Sequence, residues 1–127
     1  MSNQVTVLPL LKFHEDERGS THVFDLDKSG QFIVAYRKKG SLNARHYHKG
    51  LSNNKNPERI IIMQGAATIN WIDTRNGEKG VAKAIAPAMV EITAWVWHEV
   101  VADEDMVVFE LNALADGQGD TFQLEHS

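Results

Sequence analysis

The strongest constraint on the fold is a succession of short β-prone runs with no dozen-residue stretch of sustained helical period. Runs rich in β-branched or aromatic residues occur at 5–13, 21–24 and 31–36. They continue at 59–63, 66–72, 82–86, 90–92, 96–102 and 106–112. Gly, Asn and charged residues separate them, and Asn76-Gly77 suits a hairpin connection that needs positive φ. Many short strands in 127 residues predict an all-β sandwich, barrel or jelly roll, which periodicity does not distinguish. The length fits one domain, and no repeat or Pro/Gly/Ser linker divides it. The 50–57 segment, with Ser52, Asn53, Asn54, Lys55 and Asn56, reads as a polar loop between strands. The stretch after Asn112 reads as a surface loop.

Composition narrows the function classes. Apolar residues make up 43% of the chain, enough for a core without covalent staples, and the absence of cysteine removes disulfides and thiolate metal sites. A net charge of −4 argues against nucleic acid or an anionic membrane as the main partner. No apolar run is long enough to span a bilayer, and residues 1–12 lack a basic start followed by a long apolar stretch. A cytoplasmic protein is the expectation.

The chemistry-bearing residues are few. His46 and His48, one residue apart, share a face if they lie on a strand, with Tyr47 opposite. Glu58 opens the run after the polar loop, and His98 ends Trp95-Val96-Trp97-His98. Three imidazoles and a carboxylate suit one divalent transition metal, such as Zn, Fe, Mn or Ni. An isolated His-X-His is more often a hydrogen-bonded or exposed pair than a ligand set, so spacing alone does not establish a metal site.

From Gly40 onward the chain resembles the first cupin motif: a glycine, five residues, His-X-His, a gap, glutamate, six residues and glycine. Here these are Gly40, His46-Tyr47-His48, Glu58 and Gly65, with the 50–57 loop lengthening the gap. The second motif is partial. With His98 in its histidine position, its proline, glycine and asparagine fall on Thr93, Trp95 and Ala102. The resemblance implies a double-stranded β-helix, the cupin jelly roll, spanning 1–127 with its core at about 31–112. The strands within 5–24 would pack on that core or on a partner subunit. It also implies metal-ligand roles for His46, His48, Glu58 and His98, or acid–base roles for His46 and His48 if the metal has been lost.

Asp16-Glu17-Arg18-Gly19 resembles a segment of cupins acting on nucleotide-activated deoxysugars, the dTDP-4-dehydrorhamnose 3,5-epimerases and 3,4-ketoisomerases. Arg45 stands near the position of a second arginine of that group, and Gly119-Asp120-Thr121-Phe122 resembles the cupin end of capsular-polysaccharide reductase–epimerases. This resemblance implies an isomerase or epimerase acting on a nucleotide-linked keto-sugar, with His46 or His48 as base. The substrate-contact candidates are Arg18, Arg45, Tyr36 and Trp71, against competing roles in a surface ion pair or in packing. The alternatives are an iron-dependent small-molecule dioxygenase and a non-catalytic binding module. If His98 points inward, alternation turns Trp95 and Trp97 outward, where they need cover from the N-terminal strand or a second subunit. A homodimer is therefore expected.

Overall fold

A computed structural model describes residues 4–27 and 29–124; the first three residues of the N-terminal stretch lie outside these. Eleven strands are formed among them: β1 Val5–Pro9, β2 Leu11–Asp16, β3 Gly19–Val23, β4 Ile33–Arg37, β5 Leu42–His46, β6 Glu58–Gln64, β7 Ala66–Asp73, β8 Lys79–Ile85, β9 Ala88–Ile92, β10 Val96–Ala102 and β11 Met106–Glu110. A five-stranded sheet in the order β1-β9-β6-β11-β4 packs against a four-stranded sheet in the order β5-β10-β7-β8. This is the expected all-β jelly roll. The apolar half of each strand's alternation meets between the sheets: Ile60, Ile62, Val90, Ile92 and Val108 from one, and Ile69, Val96 and Val100 from the other.

The first predicted run divides at Leu10. β1 stays in the large sheet beside β9, and the Leu10 N–H donates to the Pro87 carbonyl. β2 leaves with β3 as a separate two-stranded sheet. Asn76-Gly77 makes the expected tight connection, with Gly77 at φ 77° and its N–H on the Asp73 carbonyl.

Two glycines of the first motif have structural reasons. Gly40 (φ 87°) donates its N–H to the Ala102 carbonyl at 2.7 Å. Gly65 (φ 89°) turns β6 into β7 where a Cβ would press into the Asp105 carbonyl and stand 2.9 Å from the Met106 Cβ.

β5 is not among the runs read from the sequence, and the reason is local. Ala44 and Arg45 hold φ of 66° and 61°, and the pairing of β5 with β10 slips between His98 and Glu99. The pair forms a bulge that inserts one residue and aims His46 at His98 directly across the ladder.

Candidate functional site

Four donors converge between the sheets. His46 ends β5, Glu58 begins β6 and His98 lies within β10, while His48 stands two residues past the end of β5. Tyr47 bridges to Phe122, so the alternation runs on beyond the strand and both imidazoles turn inward. One ligand atom from each of His46, His48, Glu58 and His98 lies within 4.8 Å of the others. His48, Glu58 and His98 are buried, and His46 is partly so.

Backbone carbonyls set the tautomers. The Nδ1 of His48 lies 2.6 Å from the Asp120 carbonyl and that of His98 lies 3.0 Å from the Val96 carbonyl. A carbonyl only accepts, so both Nδ1 atoms carry protons and both Nε2 atoms face inward. Those Nε2 atoms stand 3.2 and 3.1 Å from the two oxygens of Glu58, yet neither has a hydrogen-bond partner. Lone pairs directed at a buried carboxylate need positive charge between or beside them, as a proton or a metal ion. The donor set therefore fits a divalent metal.

The protein already supplies one cation. The Lys55 Nζ, from the 50–57 loop, lies 2.6 Å from Glu58 Oε2, and Lys55 is only 6% exposed. Burial opposes ionisation of Glu58, but protons on the Nε2 atoms of His48 and His98, together with the Lys55 charge, outweigh it and hold its carboxyl well below the ordinary value. Burial, followed by the neighbouring His98, pushes the His46 imidazole down to about 3, so it is neutral at physiological pH.

His46, His98, Glu58 and Lys55 line a cavity of about 150 Å³ with Ala44, Asn43, Arg37 and Glu110. That volume suits a six-membered ring. Of the lining residues, Arg37 is exposed and charged. Burial, together with the negative Glu58, pushes the Glu110 carboxyl up. A raised native value gives stability that is full below the unfolded pKa and is lost as pH rises through the folded one. Glu110→Gln is therefore expected to raise the melting temperature by about 3 °C at pH 7 and to change nothing near pH 4, by thermal denaturation at both.

The four substrate-contact candidates lie elsewhere in the single chain. Arg18 sits in the β2–β3 turn with its side chain 82% exposed, paired with Asp16 at 2.9 Å. Arg45 is turned outward by the bulge and pairs with Glu99 at 3.2 Å. Tyr36 is 76% exposed on β4. Trp71 covers Gly80, where a Cβ would collide with the indole. Trp97 is buried within one chain at 8% exposure, so no partner is needed to cover it, whereas Trp95 is 37% exposed and stacks on Tyr47.

Sequence reasoning missed Lys55, Arg37 and Asp120. Asp120, in the stretch read as a loop, is 1% exposed, and its carboxylate accepts the N–H groups of Lys49, Gly50 and Leu51. Asp116 accepts from Ser52 Oγ and Asn54 Nδ2. Together they fasten the 50–57 loop to the C-terminal segment. The sequence signals were the polar character of the two segments and the resemblance carried by Gly119-Asp120-Thr121-Phe122.

No protein-family model and no curated protein matches the sequence. Solved structures do match. The dTDP-4-dehydrorhamnose 3,5-epimerase from Sulfolobus tokodaii superimposes with a TM-score of 0.70 at 17% identity, over 87% of this chain and 70% of that one. A mutant 3,4-ketoisomerase from Thermoanaerobacterium thermosaccharolyticum, in complex with TDP-4-keto-6-deoxyglucose, gives 0.72 at 16% identity over 98% and 91%. A 3'-monoepimerase from Streptomyces bikiniensis, in complex with dTDP-quinovose, gives 0.69 at 18% identity over 89% and 67%. At these identities the likeness shows the shared jelly-roll fold. No helix among the described residues is long and apolar enough to cross a membrane.

Proposed function

We propose that the chain is an isomerase or epimerase of nucleotide-linked keto-sugars, working by proton abstraction next to a carbonyl. The observation that carries this reading is the position of His46, a partly exposed imidazole lining a ring-sized cavity beside the buried Lys55–Glu58 pair. The ligands of the matching structures, TDP-4-keto-6-deoxyglucose and dTDP-quinovose, support the substrate class. A proton α to a ketone is acidic enough for a positioned histidine to remove at neutral pH. His46 takes that proton, the negative Glu58 favouring the imidazolium that forms, and the electron pair moves onto the carbonyl oxygen as an enolate. The Lys55 ammonium, lining the same cavity, stabilises that oxygen. Protonation of the enolate carbon by water on the opposite face, with the His46 proton passing to solvent, epimerises the carbon. His46 returning its proton at a neighbouring carbon after enediol formation instead moves the carbonyl.

His46, His48, Glu58 and His98 would hold a divalent transition metal such as Zn, Fe, Mn or Ni. When bound, the metal would supply Lewis-acid stabilisation of the same oxygen. His46 would then be engaged as a ligand, so the form with Lys55 on Glu58 is the one proposed for proton transfer.

Arg37, exposed and lining the cavity, is placed for a diphosphate of the same protomer's ligand. Arg18 is a second candidate, offered by the β2–β3 hairpin to a partner subunit. That hairpin exposes Leu11 (68%) and Phe13 (73%), an apolar surface suited to a homodimer. Light scattering should therefore give twice the chain mass.

The experiment is incubation with TDP-4-keto-6-deoxyglucose in deuterium oxide, followed by proton NMR, beside a thermal shift with TDP. Loss of a sugar proton signal next to the carbonyl and a raised melting temperature are expected. Neither exchange nor a shift at millimolar ligand would defeat the reading.

A further inference from the structure

We infer that Lys55 is a built-in counter-cation that competes with a divalent metal for Glu58, so the lysine governs whether the centre takes up metal. Glu58 is the shared element. Its Oε2 receives the Lys55 ammonium at 2.6 Å and faces His48 Nε2 at 3.2 Å, while Oε1 faces His98 Nε2 at 3.1 Å. An ion held by these donors would take its charge balance from that one carboxylate, the only anionic group among them. An ammonium on the same carboxylate would then stand against a divalent ion, and like charges at that range repel strongly in a buried site. The two cations therefore exclude each other.

Exchange needs only a side-chain movement. The Lys55 backbone is held by its N–H on the Ser52 carbonyl at 3.0 Å and by its bridge to Glu58. The surrounding loop is fastened by Asp116 and Asp120. A metal entering the centre would turn the Lys55 side chain outward and leave the fold unchanged. The lengthened gap between His48 and Glu58 is the segment that brings this lysine in. The centre thus carries a cation in both states: an ammonium when metal is scarce and a metal ion when it is abundant.

The test uses Ni(II) alone and needs no sugar, so its failure is separable from failure of the isomerase reading. By isothermal titration, Lys55→Met is expected to bind Ni(II) at least tenfold more tightly than the unaltered protein. Lys55→Arg, which keeps the charge, should bind no more tightly than the unaltered protein. In the unaltered protein, saturating Ni(II) should expose Lys55 to acetylation by an amine-acylating reagent, read by peptide mass spectrometry. Should Lys55→Met fail to fold, the acetylation result decides. Equal affinities in the unaltered protein and Lys55→Met would overturn the inference. So would Lys55→Arg binding as tightly as Lys55→Met, Lys55 staying protected at saturating metal, or an absence of binding in every form.

Discussion

Replacing His46 by asparagine is expected to lower kcat by about a thousandfold with little change in KM or in melting temperature. Of the three clustered histidines, His46 is the partly exposed one that lines the cavity, and His48 is not part of the lining. The Nδ1 protons of His48 and His98 are committed to backbone carbonyls, and their Nε2 atoms are turned to Glu58. His46 is thus the imidazole best placed to meet a substrate proton. A base acts in the transition state far more than in substrate binding, so its loss should appear in kcat. Asparagine keeps a polar group of similar size at the end of β5, and the small effect on stability follows. Turnover of TDP-4-keto-6-deoxyglucose and deuterium exchange at its sugar carbons are the measurements. If His48→Asn abolishes exchange while His46→Asn preserves it, the assignment of the base is reversed.

The sequence was legible where one residue's neighbours along the chain decide its environment. Alternation placed Tyr47 opposite two inward histidines, and the structure has Tyr47 against Trp95 and Phe122 with both imidazoles inside. Gly40 and Gly65 mark the turns that the motif spacing places around them. Pairing between distant segments was not legible. Lys55 looked like one more polar loop residue, because its burial depends on a carboxylate three positions later turning into the core. Arg45 sits beside His46 in sequence, yet a one-residue bulge sends it to Glu99 and the outer surface. Alternation turns Trp97 outward and leaves open whether the N-terminal strand or a second subunit covers it, because it gives the direction of a side chain and not what lies over it. The side chain is buried within one chain.

Asp120→Ala is expected to destabilise the fold by about 3 kcal/mol, equivalent to roughly 12 °C in melting temperature. The carboxylate accepts the N–H of Lys49 at 2.7 Å, of Gly50 at 3.2 Å and of Leu51 at 2.9 Å. Hydrogen bonds to a charged acceptor are among the stronger ones, and alanine would leave three donors unpaired in a partly buried turn. Burial opposes ionisation of Asp120, but the N–H groups of Lys49 and Leu51, the nearby His48 and the N–H of Gly50 hold its pKa below the usual value. A depressed native value gives stability that is present above the unfolded pKa and is lost as pH falls through the folded one. The difference between the unaltered protein and Asp120→Asn, by urea denaturation, should thus be full at pH 7 and close in acid, below about pH 4. The same residue's carbonyl fixes the His48 tautomer, so the substitution should also disturb the donor cluster. Ni(II) affinity in Asp120→Ala should fall even at temperatures where the variant stays folded. A folded Asp120→Ala with unchanged metal affinity would mean that the carbonyl keeps its place without the carboxylate beneath it, and that the loop and the centre are independent.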